Sequence, residues 1–494
     1  MKRILDTVHG YIMVEDHFIE HIIDTKYFQR LRRVEQTSIR SVYPSARHDR
    51  FIHSLGVYHI GSLIVEHLKK EAKSYNFWGE TEASMAIIYD SYLAACLLHD
   101  VGHAPFSHTF EHYFGQKSLL SKRLKEIISN VDFDNDLEST MKTDAPNYHE
   151  FMSGIVSYIK FKEGLARMNI DTEFVVRMIT GTFYKKKVNS HQIHNCFISL
   201  LHGNIIDADR LDYACRDVWA SGYSTSSIDL RRLISALHIM KKVDGNKDYV
   251  VCFESNSLNE IDGVLNVKDF QMKYVINHHT VNYEQWLLEK AACKMALKFF
   301  PNIENDEDGF LALGNIINEK TLTEDIILSG KYRISNISDD DLVFLMKQHD
   351  NHYYDEWSSR QYSHFPLWKS RDEFSHYFNG YDRTVQVEPT EFENIIRAIL
   401  THEGENDEDI IITKATFKPR VKMNSLYIVV ANNIVRYTDL YPASEDFNYN
   451  QTFYYVFIPK LEGQDRCERE ERKLNIINKL RPVIHMLYKK KDNK

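Results

Sequence analysis

The residues of this chain with the clearest chemical potential are His53, the adjacent pair His99-Asp100, and Asp209. Two neighbouring donors cannot hold a divalent metal alone. A nitrogen or oxygen donor from each of two other segments completes the shell and leaves positions open for water and substrate. That layout is hydrolytic rather than structural. Imidazole plus carboxylate suits Zn, Fe, Mn or Mg-type ions better than thiolate-preferring ones. The His99-Asp100 dipeptide is a weak signal by itself, because a histidine packed in a core is the commoner case. Its context reverses the odds: Asp100 ends an apolar helical stretch, where an unpaired carboxylate would be costly.

Several elements must position these groups. Immediately after His53, the segment Ser54–Glu71 places Leu55, Ile60, Leu63, Ile64 and Leu68 close to helical period. Ser91–Val101 reads as an apolar helix ending at the Gly102-His103-Ala104-Pro105 break, with His99 and His103 one turn apart on one face. Pro105 permits only a new start, so His108 and Glu111 should share one face of a following helix or turn. Leu119–Asn147 is charged and carries the turn signals DFDND and KTDAPN, as an insertion between two parts of one site would. His149–Ile159 resumes helical period. Asp207 either assists Asp209 or caps the helix that carries Tyr213. His48, His59 and His67 have no spacing that works with the metal residues, and packing or surface roles are expected of them.

A chain of 494 residues is long enough for two or three domains. The expected division is a catalytic domain over 1–300 and a C-terminal region over 301–494, with the acidic stretch 301–308 as linker. A second acidic break covers 402–409, and the chain between the two breaks reads as helical. Beyond it, Ser425–Tyr437 and Thr452–Pro459 have strand character, and the tail Lys489–Lys494 reads as a frayed end. The formal net charge of −9 argues against a protein that coats nucleic acid. Lys26, Arg30, Arg32, Arg33, Arg40, Arg47 and Arg50 nevertheless make the segment ahead of His53 basic. Arg30 and Arg33 read as a solvated face, and Arg50 as a phosphate contact. The six cysteines lack CxxC spacing and read as reduced thiols. The N-terminus turns acidic too soon for a secretory signal, and no apolar run approaches a bilayer span. A cytoplasmic location is expected.

The blocks RFIHSLGVYHIG (50–61), LLHDVGHAPFSH (97–108), YHEFMSG (148–154) and IIDADRLDYACRD (205–217) resemble, in order, the motifs of the HD-domain deoxynucleotide triphosphohydrolases. That family includes bacterial dGTPases and a mammalian enzyme that joins a SAM domain to an HD domain. The stretch 9–36 is similar too, so the likeness covers most of residues 1–290 and starts almost at Met1, without the SAM domain. The resemblance implies a mainly α fold, a helical HD-domain core with a smaller α+β C-terminal region that supports oligomerisation or regulation. It makes His53, His99, Asp100 and Asp209 the metal ligands. His103 and His149 match the catalytic histidines around the α-phosphate, and Glu111 stands where an aspartate orients a histidine. Arg50, His108 and Arg210 match phosphate contacts; Gln36, Tyr213 and Asp217 match residues lining the sugar. Asp24, Gln29 and Arg32 match positions that read a guanine at a regulatory nucleotide site, whereas Leu5 replaces an asparagine and Arg3 a small apolar residue there. The pair His278-His279 falls near the family's nucleotide pocket.

The implied reaction is attack of water on the α-phosphorus of a dNTP, dGTP being the leading candidate, with release of deoxynucleoside and tripolyphosphate. The implied cofactor is a divalent metal, Mn, Mg, Fe or Zn. The implied partners are the dNTP, an activating nucleotide and further copies of the chain, with no membrane and no requirement for nucleic acid. Metal chemistry alone leaves two rivals: an HD phosphodiesterase or nuclease, and a nucleotide sensor without turnover. The residues around the sugar speak against the first, and the full set of ligands and histidines against the second.

Overall fold

The computed structural model describes residues 1–186, 189–203, 206–223, 228–242, 248–303, 309–328, 330–378, 389–417, 426–431, 433–441 and 451–489. The chain forms two compact units that interleave in sequence: Met1–Gln271, Ala292–His349 and Arg420–Phe447 make the first, and Met272–Ala291, Asp350–Pro419 and Asn448–Lys494 the second. It is mainly α, as expected, with a few small sheets.

The first unit opens with an antiparallel hairpin, β1 (Lys2–Asp6) and β2 (Gly10–Val14). Helix α1 (Arg50–Ser74) starts where Asp49 caps the Ile52 amide, a contact of about 1 kcal/mol. Helix α2 (Glu82–Leu98) starts at Thr81, which caps the Ser84 amide. Its last seven residues, Tyr92–Leu98, are all buried. Such all-round apolarity marks a helix at the centre of a core, and α1 packs against it.

Charged residues 117–143 form two helices, α3 (Lys117–Ile128) and α4 (Val131–Thr143). The DFDND motif is therefore no turn. Asn130 caps the Asp132 and Phe133 amides, and Asp132 and Asp134 occupy the first turn of α4, where they complement the helix dipole. Helix α5 (Tyr148–Val156) begins with a capping box between Asn147 and Glu150. Then come α6 (Thr172–Thr180), α7 (Asn189–Leu201) and α8 (Ala208–Ser221). Asp207 is the N-cap of α8, accepting from the Arg210 amide, so capping is its observed contact.

Residues 1–300 are not purely helical. Strands β3 (Leu237–Lys241) and β4 (Tyr249–Glu254) pair antiparallel, and β4 pairs in parallel with Tyr427–Val430, which turns back as Asn433–Arg436. β3 is thus an edge of a four-stranded sheet. A further hairpin, Asp325–Leu328 with Tyr332–Ser335, interrupts the stretch expected to be helical and is followed by α9 (Asp339–Met346).

The second unit is built on a three-stranded antiparallel sheet, with Gln451–Pro459 between His364–Pro366 and Ile411–Phe417. Helices Pro389–His402 and Arg466–Lys489 belong to it. Its core holds Trp368, Phe374, Ile396 and Leu480, and the Trp368 indole donates to the Tyr454 carbonyl. Residues 304–308 of the expected linker and 490–494 of the expected frayed tail lie outside the described residues, as do 425 and 432 of the expected strand. Among the described residues, no helix is long and apolar enough to cross a membrane.

Candidate active site

Three segments of the first unit meet at one point. His53 lies in the first turn of α1, Asp209 in the first turn of α8, and His99-Asp100 just beyond α2. The helix stops at Leu98, with His99 at its C-cap and Asp100 in the ensuing turn, so it ends short of the expected Val101. The His53 and His99 Nε2 atoms are 3.3 Å apart. Asp100 Oδ2 lies 3.6 Å from the first and 3.4 Å from the second. Asp209 Oδ1 lies 3.0 Å from His53 Nε2 and 3.7 Å from His99 Nε2. Ligands at about 2.1 Å from a common ion stand about 3 Å apart at right angles, so His53, His99 and Asp100 are placed to share a metal, with Asp209 beside the two imidazoles.

The donor chemistry fits as well. His53 Nδ1 donates to Asp212 Oδ2 at 2.7 Å, and His99 Nδ1 donates to the Cys96 carbonyl at 2.9 Å. Both rings are thereby held with Nε2 lone pairs turned to the shared point. Burial would raise the carboxyls, but Arg50, His99 and His103 hold Asp100 well below the usual range, and His53 and His99 do the same for Asp209. Burial is likewise outweighed at His53 by Asp209 and Asp212, and at His99 by Asp100 and Asp209, which raise the affinity of each ring for a proton. A field that favours a proton there favours a divalent cation too.

The catalytic candidates stand beside the metal residues. His103 is fully buried, with Nε2 3.0 Å from Asp100 Oδ1. Its ring stacks on His149, centroids 4.2 Å apart at 13°. His149 Nδ1 donates to Glu111 Oε2 at 2.7 Å, and Glu111 Oε1 lies 3.2 Å from His108 Nδ1. Residues 107–114 form two short 3-10 turns, which is how His108 and Glu111 come to share a face. Burial and the nearby Arg50 cation push His103 well down, while Glu111 overcomes burial and raises His149.

Arg50 is buried and already engaged. Its Nη1 donates to Asp100 at 2.6 Å, its Nε to Ser107 Oγ at 2.9 Å and its Nη2 to the Gln36 carbonyl at 3.1 Å. Arginine carries five N–H donors, so two remain. Gln36 has a buried side-chain oxygen without a partner, and so has Arg210 a buried Nη1. Asp217 Oδ1 lies 2.8 Å from His48 Nε2. Arg210 and Tyr213 are half-buried on α8. Elsewhere, Gln29 accepts from Arg32 at 2.8 Å, Arg32 lies over the Phe51 ring, and Asp24 is exposed near them in sequence. His278 and His279 belong to the second unit.

Three groups escaped the sequence reading. Asp212 takes His53 Nδ1, His9 Nε2 at 2.6 Å and the Arg216 guanidinium, which also reaches Asp6. Its signal was spacing: Asp209 and Asp212 are three apart on one helix face. Arg30 is not solvated. It is buried, and donates to the Ile337 carbonyl and, through Nη2, to that of His103, both at 2.5 Å. Asp339 accepts the Phe106 amide at 2.6 Å and the Glu35 amide at 2.9 Å. Arg33, by contrast, is exposed as expected and pairs with Asp340.

Residues 50–166 match the HD domain model, so the chain carries an HD domain. It is similar to the deoxynucleoside triphosphate triphosphohydrolase SAMHD1 homolog of Dictyostelium discoideum, 29% identical over 283 residues, 56% of this chain and 46% of that one. It is similar also to SAMHD1 of Danio rerio, 26% identical over 60% of this chain and 45% of that one. An uncharacterized protein of Bacillus subtilis is 29% identical over 57% of this chain and 52% of its own. The chain thus spans about half the length of the curated relatives it matches. A hypothetical protein from Aquifex aeolicus, known from a crystal structure, shares the fold over 96% of this chain and 99% of its own, with TM-score 0.59 and 20% identity.

Proposed function

We propose that the chain is a metal-dependent dNTP triphosphohydrolase that cleaves at the α-phosphorus, releasing deoxynucleoside and tripolyphosphate. The observation that carries this reading is the pairing of a four-donor cluster, His53, His99, Asp100 and Asp209, with the stacked His103 and the His149–Glu111 dyad beside it. A divalent ion, when bound, supplies hydroxide near neutral pH and offsets charge on a phosphoryl oxygen. His149, kept protonated by Glu111, gives a proton to the leaving 5′-oxygen. His103, whose proton burial disfavours, orients His149 by stacking. Arg210, His108 and the uncommitted donors of Arg50 bind the phosphates. Gln36 and Asp217 read the 3′-hydroxyl, and the Tyr213 ring leaves little room for a 2′-hydroxyl. The names of the relatives support a dNTP as substrate.

Asp24, Gln29 and Arg32 are proposed to receive an activating nucleotide, residues 301–494 to support oligomerisation or regulation, and the protein to act in the cytoplasm. The test is a matrix of all four dNTPs against GTP, with Mn²⁺ or Mg²⁺ and identification of products. At least one combination should yield deoxynucleoside plus tripolyphosphate. Release of monophosphate and pyrophosphate would instead place the broken bond at the α–β anhydride rather than the 5′-ester and sink the assignment.

A further inference from the structure

Four turns along α1 from His53, roughly 20 Å of helix rise, a second group of ligand-type side chains comes together. His67 and Glu71 stand one turn apart on α1, and His238 on the edge strand β3 meets them; ligand atoms of the three lie within 4.8 Å of one another. Two ligands of one ion at about 2.1 Å can be at most about 4.2 Å apart. An adjustment on the order of half an ångström therefore brings the three onto a common ion. Spacing along the sequence could not show this, because the third member comes from a strand about 170 residues away.

The surroundings resemble those of the active-site ligands. His67 Nε2 is anchored on the Leu237 carbonyl at 2.7 Å, and His238 Nε2 on Glu254 Oε1 at 3.1 Å. His67 thereby keeps its other nitrogen, as His53 and His99 do, the pattern that fixes a metal-binding tautomer; at His238 the ion would take the place of the hydrogen held between Nδ1 and Glu71. His238 Nδ1 meets Glu71 Oε1, while Glu71 Oε2 is buried without a hydrogen-bond partner. All three residues are partly buried, so an ion there would be shielded yet reachable.

We propose that His67, Glu71 and His238 form a second metal site, for a divalent transition ion of the zinc type, which ties α1 to the edge of the sheet. Two imidazoles and a carboxylate select such an ion over Ca²⁺ or Mg²⁺. With three protein ligands, a water completes the shell. The role is structural: the ion fixes the C-terminal half of the helix whose first turn carries Arg50 and His53. The alternative is a proton in place of the ion, with His238 as an imidazolium between Glu71 and Glu254.

The test uses the full chain with zinc alone as probe. Asp100→Ala protein is loaded with Zn²⁺, desalted, and assayed for zinc content and thermal unfolding; Glu71→Gln and His67→Gln/His238→Gln are added to that background. The expected result is one zinc per chain in the Asp100→Ala protein, a higher unfolding temperature on loading, and loss of both in either further variant. Glu71→Gln keeps shape and hydrogen-bonding capacity, so it reports on the ligand even where the double variant folds poorly. No zinc-induced rise in the Asp100→Ala protein, or a rise that survives Glu71→Gln, overturns the site in favour of the proton.

Discussion

His103 and His149 stack face to face, yet their neighbours drive their protons in opposite directions. Protonation is thereby disfavoured on one ring and favoured on the other, which is the arrangement the proposed acid catalysis needs. The sign of the pH dependence follows. His149 is raised above its ordinary value by Glu111, so the proton it is proposed to donate is present below that raised pKa and is lost as pH climbs through it. Glu111→Gln removes the anion and leaves burial to lower His149. The alkaline limb of the kcat profile should then move to lower pH, with kcat at neutral pH down about 10²-fold; an unmoved limb would assign the proton elsewhere. Asp212 makes a second prediction at this scale. It is buried against His53, His9 and Arg216, and Asp212→Ala leaves Arg216 with only Asp6. The expected cost is about 3–5 kcal/mol in unfolding by denaturant. Asp212→Asn, which still accepts from His53, should fold and bind metal about 10–100-fold more weakly by titration.

The elements meet so closely that two glycines carry information a motif list does not. A Cβ on Gly56 would sit 1.9 Å from Asp212 Oδ1, and one on Gly102 2.2 Å from the Ser153 amide. Both glycines therefore let backbone or carboxylate approach where a side chain would stand. The turn after α2 continues through Phe106 and Ser107, each held at φ +52°. Such a conformation costs about 1–3 kcal/mol per residue and persists only when surroundings hold it. Asp339, at the start of α9, does so through the Phe106 amide, and Arg30 does so through the His103 carbonyl. We predict that Asp339→Ala lowers kcat by about 10-fold or more while bound metal stays at the wild-type level. Asp339→Asn, which can still accept one amide, should restore part of it. Loss of metal together with activity would mean that Asp339 supports the whole fold rather than the catalytic turn.

For the molecule as a whole, the proposed metal residues join α1, the turn after α2, and α8, three separate pieces of the first unit. An ion shared by them stabilises the folded chain by mass action, about 2.7 kcal/mol at a hundredfold excess over Kd. Removing it with a chelator should lower the unfolding temperature of the wild-type protein, and Mn²⁺ or Zn²⁺ should restore it. In a protein carrying both Asp100→Ala and Glu71→Gln, chelator and metal should have no effect; a persistent shift would place a metal at neither site. The regulatory role proposed for residues 301–494 also belongs here. α9 lies within that range, yet it is part of the first unit and braces the catalytic turn, so changes in that stretch can reach the chemistry without touching substrate.

Residue type and order singled out His53, His99, Asp100, Asp209, His103, His149 and Glu111 as candidates, because metal and proton chemistry restrict which side chains can serve, and the structure brings them together. The mainly helical architecture was legible too, since α1 and α2 carry long apolar patterns. What depends on contacts between distant segments was not. Arg30 looked solvated because basic residues usually are, until the Ile337 and His103 carbonyls closed over it. His67 looked idle until β3 brought His238 beside it. DFDND became a helix start because Asn130 caps it, and β3 and β4 formed from short runs too ambiguous to separate from helix by period. The sequence by itself determined which groups could do the chemistry; the tertiary structure alone decided which partners hold each of them, because burial and pairing are properties of neighbours the chain supplies from far away.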